Sequence, residues 1–378
     1  MFKIYWFIEQ RPINKKIRKV IESRSQKPKI INKIGFYVYH ENHLAHLLPI
    51  IKHLPQDSVE FITPKINEIP KYFDRTDIPV RSSLDLLAVS KKYKCVVSLF
   101  MLPPTWLQPR ANDDTEDNKN LGSHYFERLA EKNVRMVYSL GALPWNISHV
   151  MEFYDYLFVY GPYEEKIYQN QFGNRMQVYQ IGYPKFDSFF SNEPMKLDFE
   201  GKLNENFQTI LWLPTKEHLS SISKYSNTMM DLSKYYNVIL KPHPQENPDF
   251  LKRIKDSKII LVNHHDSAPF YRLADFVFCD YGGSCFGALY CDKPIIFLSP
   301  DNPDKDLTNY SPNSPEVLLR NESLVITDEN SYEISLLLQD PNLWREDCKK
   351  REDLRAKFFL GNYGKSGKRA ADFLINLQ

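Results

Sequence analysis

From about residue 34 to residue 326 the chain repeats one pattern: a short, almost continuous run of β-branched and aromatic residues, then a stretch with helical spacing. The runs are Ile34–Tyr39, Val59–Thr63, Cys95–Phe100, Val134–Ser139 and Tyr156–Tyr160, followed by Val178–Ile181, Thr209–Leu213, Asn237–Leu240, Lys258–Val262, Phe276–Cys279, Pro294–Leu298 and Leu324–Ile326. A strand that is apolar on both faces needs cover on both faces. Parallel sheets wrapped by crossover helices supply it. Two such series predict two doubly wound, Rossmann-like α/β domains facing an interdomain crevice, one over residues 34–175 and one over 176–360. The polar stretch Ser191–Asn206 reads as a loop near their junction. Asn42–His53 carries leucine and isoleucine at helical spacing, with Pro49 expected to kink it.

Charge narrows the partners. The whole chain carries only +2, which argues against a nucleic-acid protein with basicity spread over its surface. Residues 1–33 hold ten lysines and arginines against Glu9 and Glu22, a net +8, so the remainder is about −6. This basic arm also contains Phe2, Ile4, Tyr5, Trp6, Phe7 and Ile8, and such a segment can lie on an anionic membrane surface. An N-terminal strand and helix with an exposed basic face is the other reading. Five cysteines without a C-x-x-C pair fit neither a zinc knuckle nor a disulfide framework and read as reduced thiols. No run approaches the roughly 18 apolar residues of a membrane span, and no signal-peptide pattern opens the chain. The expected location is cytoplasmic, peripheral on the inner face of the cell membrane. Residues 109–123 read as a mobile surface loop.

In open α/β sheets, ligands bind beyond the carboxyl ends of the strands. The polar residues placed there are His40 after the first strand, Thr215, Lys216 and His218 after ILWLP, Lys241-Pro242-His243-Pro244 after NVIL, and Asp280-Tyr281-Gly282-Gly283-Ser284 after FVFC. Prolines on both sides of His243 restrict its backbone and give its imidazole a fixed direction. The Gly282–Ser284 turn permits close backbone approach and offers N–H groups and a hydroxyl to a phosphate or pyrophosphate. A plain Gly-Gly turn with Ser284 as a helix cap is the alternative.

Longer segments resemble a family: GYPKFD at 182–187, LPTKEH at 213–218, LKPHP at 240–244, LADFVFCDYGGS with YCDKPIIFLSPD, and GNYGKSGKRAADFLI near the end. They are similar to the CDP-glycerol glycerophosphotransferases, the teichoic-acid and capsule polymer transferases of GT-B form. The likeness covers roughly residues 34–378 and is sharper in the C-terminal half. It implies a GT-B fold, with the first domain binding acceptor, the second binding the nucleotide donor, and residues 361–378 forming a helix (Lys365–Leu377) that crosses back to the first domain. It also implies that Gly182, Thr215, Lys216, His218, His243, Asp280, Gly282, Gly283 and Ser284 hold a CDP-glycerol-like donor. His243 then assists departure of the donor's phosphates. The acceptor is a glycan or lipid-linked polymer hydroxyl. No dedicated metal motif is visible, although magnesium can arrive with a diphosphate.

The departures from the family pattern concern the base. Members read A-P-T-W-R and D-Y-S-S where this chain has Lys216-Glu217 after Pro-Thr and Gly282-Gly283 before Ser284. A family W-H-G-x-x-x-K motif corresponds here to VYSLGALPWNISH, so Leu140 precedes Gly141 in place of histidine. Gly141 and His43 are assigned to the acceptor side. His40, at a strand end beside a helix start that disfavours the imidazolium, is the expected base. His46 and His53 read as packed helix residues. Two other functions remain open: a GT-B glycosyltransferase using a CMP-, UDP- or GDP-sugar in capsule or lipopolysaccharide synthesis, and a non-catalytic binding paralogue.

Overall fold

The structure is a computed structural model that describes residues 29–38, 40–63, 71–83, 91–99, 129–141, 154–191, 197, 199, 202–215, 219–243, 246, 248–252, 254, 257–264, 266–300 and 312–377. The first half contributes β1 (Lys29–Tyr37), α1 (Leu44–Ile51), β2 (Val59–Thr63), β3 (Val80–Ser82), β4 (Lys91–Ser98), β5 (Ala130–Met136), β6 (Tyr156–Val159), α2 (Pro162–Phe172) and β7 (Gln177–Gln180). The strands form one parallel sheet in the order β3-β2-β1-β4-β5-β6-β7.

The second half contributes β8 (Thr209–Leu213), α3 (Ile222–Leu232), β9 (Asn237–Leu240), α4 (Pro248–Lys252), β10 (Ile260–Leu261), α5 (Ala268–Leu273), β11 (Phe276–Cys279), α6 (Ser284–Tyr290), β12 (Ile295–Leu298), α7 (Pro315–Glu322), β13 (Leu324–Ile326), α8 (Ile334–Leu338), α9 (Pro341–Phe358) and α10 (Ser366–Asn376). Its sheet is also parallel, in the order β10-β9-β8-β11-β12-β13. β2, β8, β9, β11 and β12 are buried along their whole length, as their unbroken hydrophobicity requires. Strand order reverses direction beside β1 in one sheet and beside β8 in the other, and these switch points set where loops diverge.

Leu47, Ile50 and Ile51 of α1 pack on one face of the first sheet together with Ala370, Ala371 and Leu374 of α10. The last helix of the chain therefore completes the core of the first sheet. Its approach to α1 is so close that a Cβ at Gly367 would collide with the Pro49 carbonyl. A separate apolar cluster is shared between the sheets, joining Val137, Leu140 and Tyr160 to Leu211, Val277, Phe286 and Phe358. Lys29–Lys33, assigned to the basic arm, open β1, while residues 1–28 lie outside the described residues. The expected loop at 109–123 lies outside them too. Four cysteines are buried and Cys348 is exposed, all as free thiols. Among the described residues no helix is long and apolar enough to cross a membrane.

Candidate functional site

The carboxyl ends of both sheets meet at a cavity of about 250 Å³. The second sheet supplies Leu213, Pro214 and Thr215 beyond β8, Lys241, Pro242 and His243 beyond β9, Asn263 and His264 beyond β10, and Tyr281, Gly283 and Ser284 beyond β11. The first sheet supplies Asn42 and His46, Tyr138 and Ser139 beyond β5, and Tyr183, Lys185 and Phe186 beyond β7. Ser267 and Tyr271 complete the wall. A larger groove of about 940 Å³ runs along the outer side of α1 past Leu44, Leu48 and Leu54, and it shares Lys185, Asn263 and His264 with the cavity.

Three of the loops are held by identifiable contacts. Asp280 is fully buried behind the wall, where its Oδ2 accepts the Thr215 N–H at 3.0 Å and the Ser221 N–H at 2.9 Å. Burial pushes its carboxyl up to about 7, against the Ser221 and Thr215 hydrogen bonds and the Arg320 charge, which pull it down. Gly282 has φ +92°, a left-handed backbone that favours glycine. Gly283 stands against Ser139 of the first sheet, so that a Cβ there would lie 2.6 Å from the Ser139 Oγ. Asp187, the aspartate of GYPKFD, accepts the Ser366 N–H at 3.1 Å and the Gly367 N–H at 2.6 Å, fastening the start of α10 to the Gly182–Phe186 turn. Gly182, with φ +86°, faces the Ser366 side chain there.

The electrostatics of the cavity come from cations held out of water. Burial lowers the Lys185 ammonium, with Asp266 partly opposing the shift. Lys241 is lowered to about 8 by burial and then by the charge of Lys185. Two lysines held out of water, one of which lowers the other, gain from an anion placed between them. His46 is 1% exposed, and burial, with Lys185 and His43 adding to it, drives its pKa well below the ordinary histidine value. Among the described residues no group of three or more His, Cys, Asp or Glu side chains is arranged to hold a metal ion.

Of the residues predicted from sequence, the cavity wall brings together Thr215, His243, Gly283 and Ser284. Gly282 and Asp280 stand behind them as turn and loop support. Gly182 lies at the α10 junction. Gly141 is buried against Glu316, and its N–H donates to Ser139 Oγ at 3.2 Å. Lys216 and His218 lie outside the described residues. His40 is exposed, its Nδ1 accepting the Asn42 N–H at 3.3 Å as a cap, and it is absent from the wall. His43 is fully buried, its pKa lowered to about 3 by burial and by His40. The wall also holds Lys241, placed at a strand end by the sequence, and residues that sequence reasoning did not assign to it: Lys185, His46, Tyr138, Ser139, Asn263 and His264. The strand-end rule could have found Asn263 and His264, since they come two and three residues after β10.

A family model described as CDP-glycerol:poly(glycerophosphate) glycerophosphotransferase matches residues 129–372. No curated protein sequence matches the chain. Among solved structures, the wall teichoic acid polymerase TagF soaked with CDPG superposes with a TM-score of 0.65 at 15% identity, covering 99% of this chain and 96% of that one. The S. aureus MnaA structure with UDP gives 0.58 at 13% identity over 92% and 98% of the two chains. Anabaena HepE with UDP-glucose gives 0.51 at 13% identity over 91% and 99%. At these identities the likeness establishes the two-sheet GT-B fold.

Proposed function

We propose, for a chain that belongs to the CDP-glycerol:poly(glycerophosphate) glycerophosphotransferase family, that the cavity binds CDP-glycerol and passes its glycerol phosphate to a hydroxyl of a cell-surface polymer. The observation that carries this reading is the convergence of Thr215, Lys241, His243 and the Gly283–Ser284 turn, from three strand ends of one sheet, on a single cavity. A diphosphate seated there neutralises the Lys185–Lys241 pair and meets the fixed His243 ring and the Thr215 and Ser284 hydroxyls. Donors arranged in advance around the departing phosphate stabilise the charge that develops on it. The acceptor hydroxyl enters from the side of the first sheet and attacks the glycerol-bearing phosphorus. An acceptor-oxygen-to-phosphorus bond forms, the bond from that phosphorus to the CMP oxygen breaks, and CMP leaves with the electron pair. A magnesium ion belongs to this reading only as a counter-ion carried on the donor diphosphate.

The TagF structure soaked with CDPG supports the same donor class, and membership of a poly(glycerophosphate) transferase family supports a polymer acceptor, which the proposal takes to be a glycan or lipid-linked chain. Attachment through residues 1–33 to the inner face of the membrane is part of the proposal. A thermal-shift panel of CDP-glycerol, CDP-ribitol, a CMP-sugar, UDP-sugars and GDP-sugars tests it. CDP-glycerol should raise Tm most, through binding to the native state, and His243→Ala should abolish that rise. A larger rise with a UDP- or GDP-sugar would replace this reading with a nucleotide-sugar transferase.

A further inference from the structure

The transfer needs a group to take the acceptor's proton, and His40, the residue that the sequence points to, does not line the cavity. Leu140, in the place of the family's histidine, is fully buried in the apolar cluster shared by the two sheets. His40 is an exposed cap outside the cavity wall. We propose that His46, on the first-sheet side of the cavity, accepts the proton of the attacking hydroxyl. This rests on the reading of the cavity as the glycerophosphotransferase site.

His46 sits in the first turn of α1, on the helix face turned toward the end of β5. Its ring lies 4.9 Å from the Tyr138 ring at 31° and 6.1 Å from the Tyr183 ring at 34°, which fixes its plane between two elements of the first sheet. Tyr138 is two residues before Leu140, so His46 leans on the loop that follows β5. The imidazole is 1% exposed and lines the cavity, yet among the described residues its Nδ1 has no hydrogen-bond partner. A buried ring nitrogen without a partner calls for an explanation. A hydroxyl entering the cavity supplies one.

The groups facing His46 suit this role. Lys185 and His43 stand beside it, Tyr138 and Tyr183 flank it, and Lys241, His243 and His264 share the cavity. In the free protein burial, and after it the Lys185 charge, keeps the imidazole neutral, the form that can accept a proton. A bound diphosphate neutralises Lys185 and raises the basicity of the ring as the hydroxyl arrives. The proton passes from acceptor oxygen to imidazole as the new phosphorus–oxygen bond forms. It leaves to water after CMP departs.

The test compares His46→Gln with wild type by CMP release from CDP-glycerol in the presence of a synthetic oligo(glycerol phosphate) primer, and by calorimetric Kd for CDP-glycerol. His46→Gln should lower kcat by roughly 10²–10⁴-fold and leave Kd within about twofold. It should also erase the acidic limb of the kcat–pH profile, which a packing defect would not do. His53→Gln is the control, and His40→Gln is the rival. Retained kcat in His46→Gln, or a loss confined to His40→Gln, overturns the proposal. If His46→Gln does not bind CDP-glycerol, His46→Asn is measured, and loss of binding in both makes His46 a packing residue and overturns it. A wild-type chain that neither binds CDP-glycerol nor releases CMP overturns the proposed function, and His46 with it.

Discussion

Asp280→Asn should turn a pH-dependent cost into a pH-independent one. In the native protein the Asp280 carboxyl titrates near 7 because it is wholly buried, whereas in the unfolded chain it titrates near about 3.9. The folded state thus binds its proton more tightly, and unfolding releases that proton across the window from about pH 4 to 7. Stability falls as pH rises through that window. Between pH 5 and pH 8 the wild-type chain loses about 2 to 3 kcal/mol from this one group, a loss that asparagine cannot show. The asparagine oxygen still accepts the Thr215 and Ser221 N–H groups, so the loop beneath the cavity keeps its shape. Asp280→Ala, by contrast, removes the one oxygen that accepts both N–H groups and should cost roughly 2–4 kcal/mol for two N–H groups left unpaired. Urea unfolding of wild type and Asp280→Asn at pH 5, 6, 7 and 8 gives the difference directly, since all other titrations cancel. A gap between the two that stays flat with pH, or moves in favour of wild type as pH rises, refutes the reasoning.

Asp187→Ala strips the two N–H groups at the start of α10 of their acceptor and should destabilise the fold by roughly 2–4 kcal/mol, with faster hydrogen exchange over residues 366–376. Gly283 has a helical backbone, φ −74°, so the penalty of Gly283→Ala is steric: the new methyl meets Ser139, and CDP-glycerol affinity should fall at least several-fold, recovering in part when Ser139→Ala is added. Because Lys241 loses its proton near 8, CDP-glycerol Kd should rise by up to roughly tenfold between pH 7 and 9, and Lys241→Met should bind more weakly with no such rise; a wild-type Kd constant over that range would show that this ammonium does not meet the donor.

How far the sequence could be read depended on what each residue reports. β2, β8, β9 and β11 run between the residues that hydrophobicity marked, because a fully buried strand is an uninterrupted apolar run. β3 escaped notice: Val80–Ser82 has three residues and no pattern, and it is held by pairing with β2 and by Arg81, whose Nε lies 2.5 Å from Glu60 Oε2. β1 starts earlier than its apolar run for a related reason, since Lys33 reaches Glu60 at 2.9 Å and stays in the sheet despite its charge. The strand-end rule located Thr215, His243 and the Gly283–Ser284 turn because those backbones must pass the crevice. It could not rank His40 against His46. Position along a strand fixes where a backbone emerges, but the direction of a side chain is set by the helix turn that follows. Reading His46 as a buried helix residue identified its burial and not the cavity that it is buried against.

The chain passes between its two sheets twice, once after β7 and once before α10, and the two passages are stitched together. Asp187 grips the start of α10, and Arg369 Nε donates to the Ile181 carbonyl at 3.0 Å. Side by side, these crossings act as the spine of a book. Sliding one sheet past the other would tear the stitching, whereas rotation about the spine leaves it whole. Any opening between the sheets would part Gly283 from Ser139 without unfastening Asp187 or Arg369.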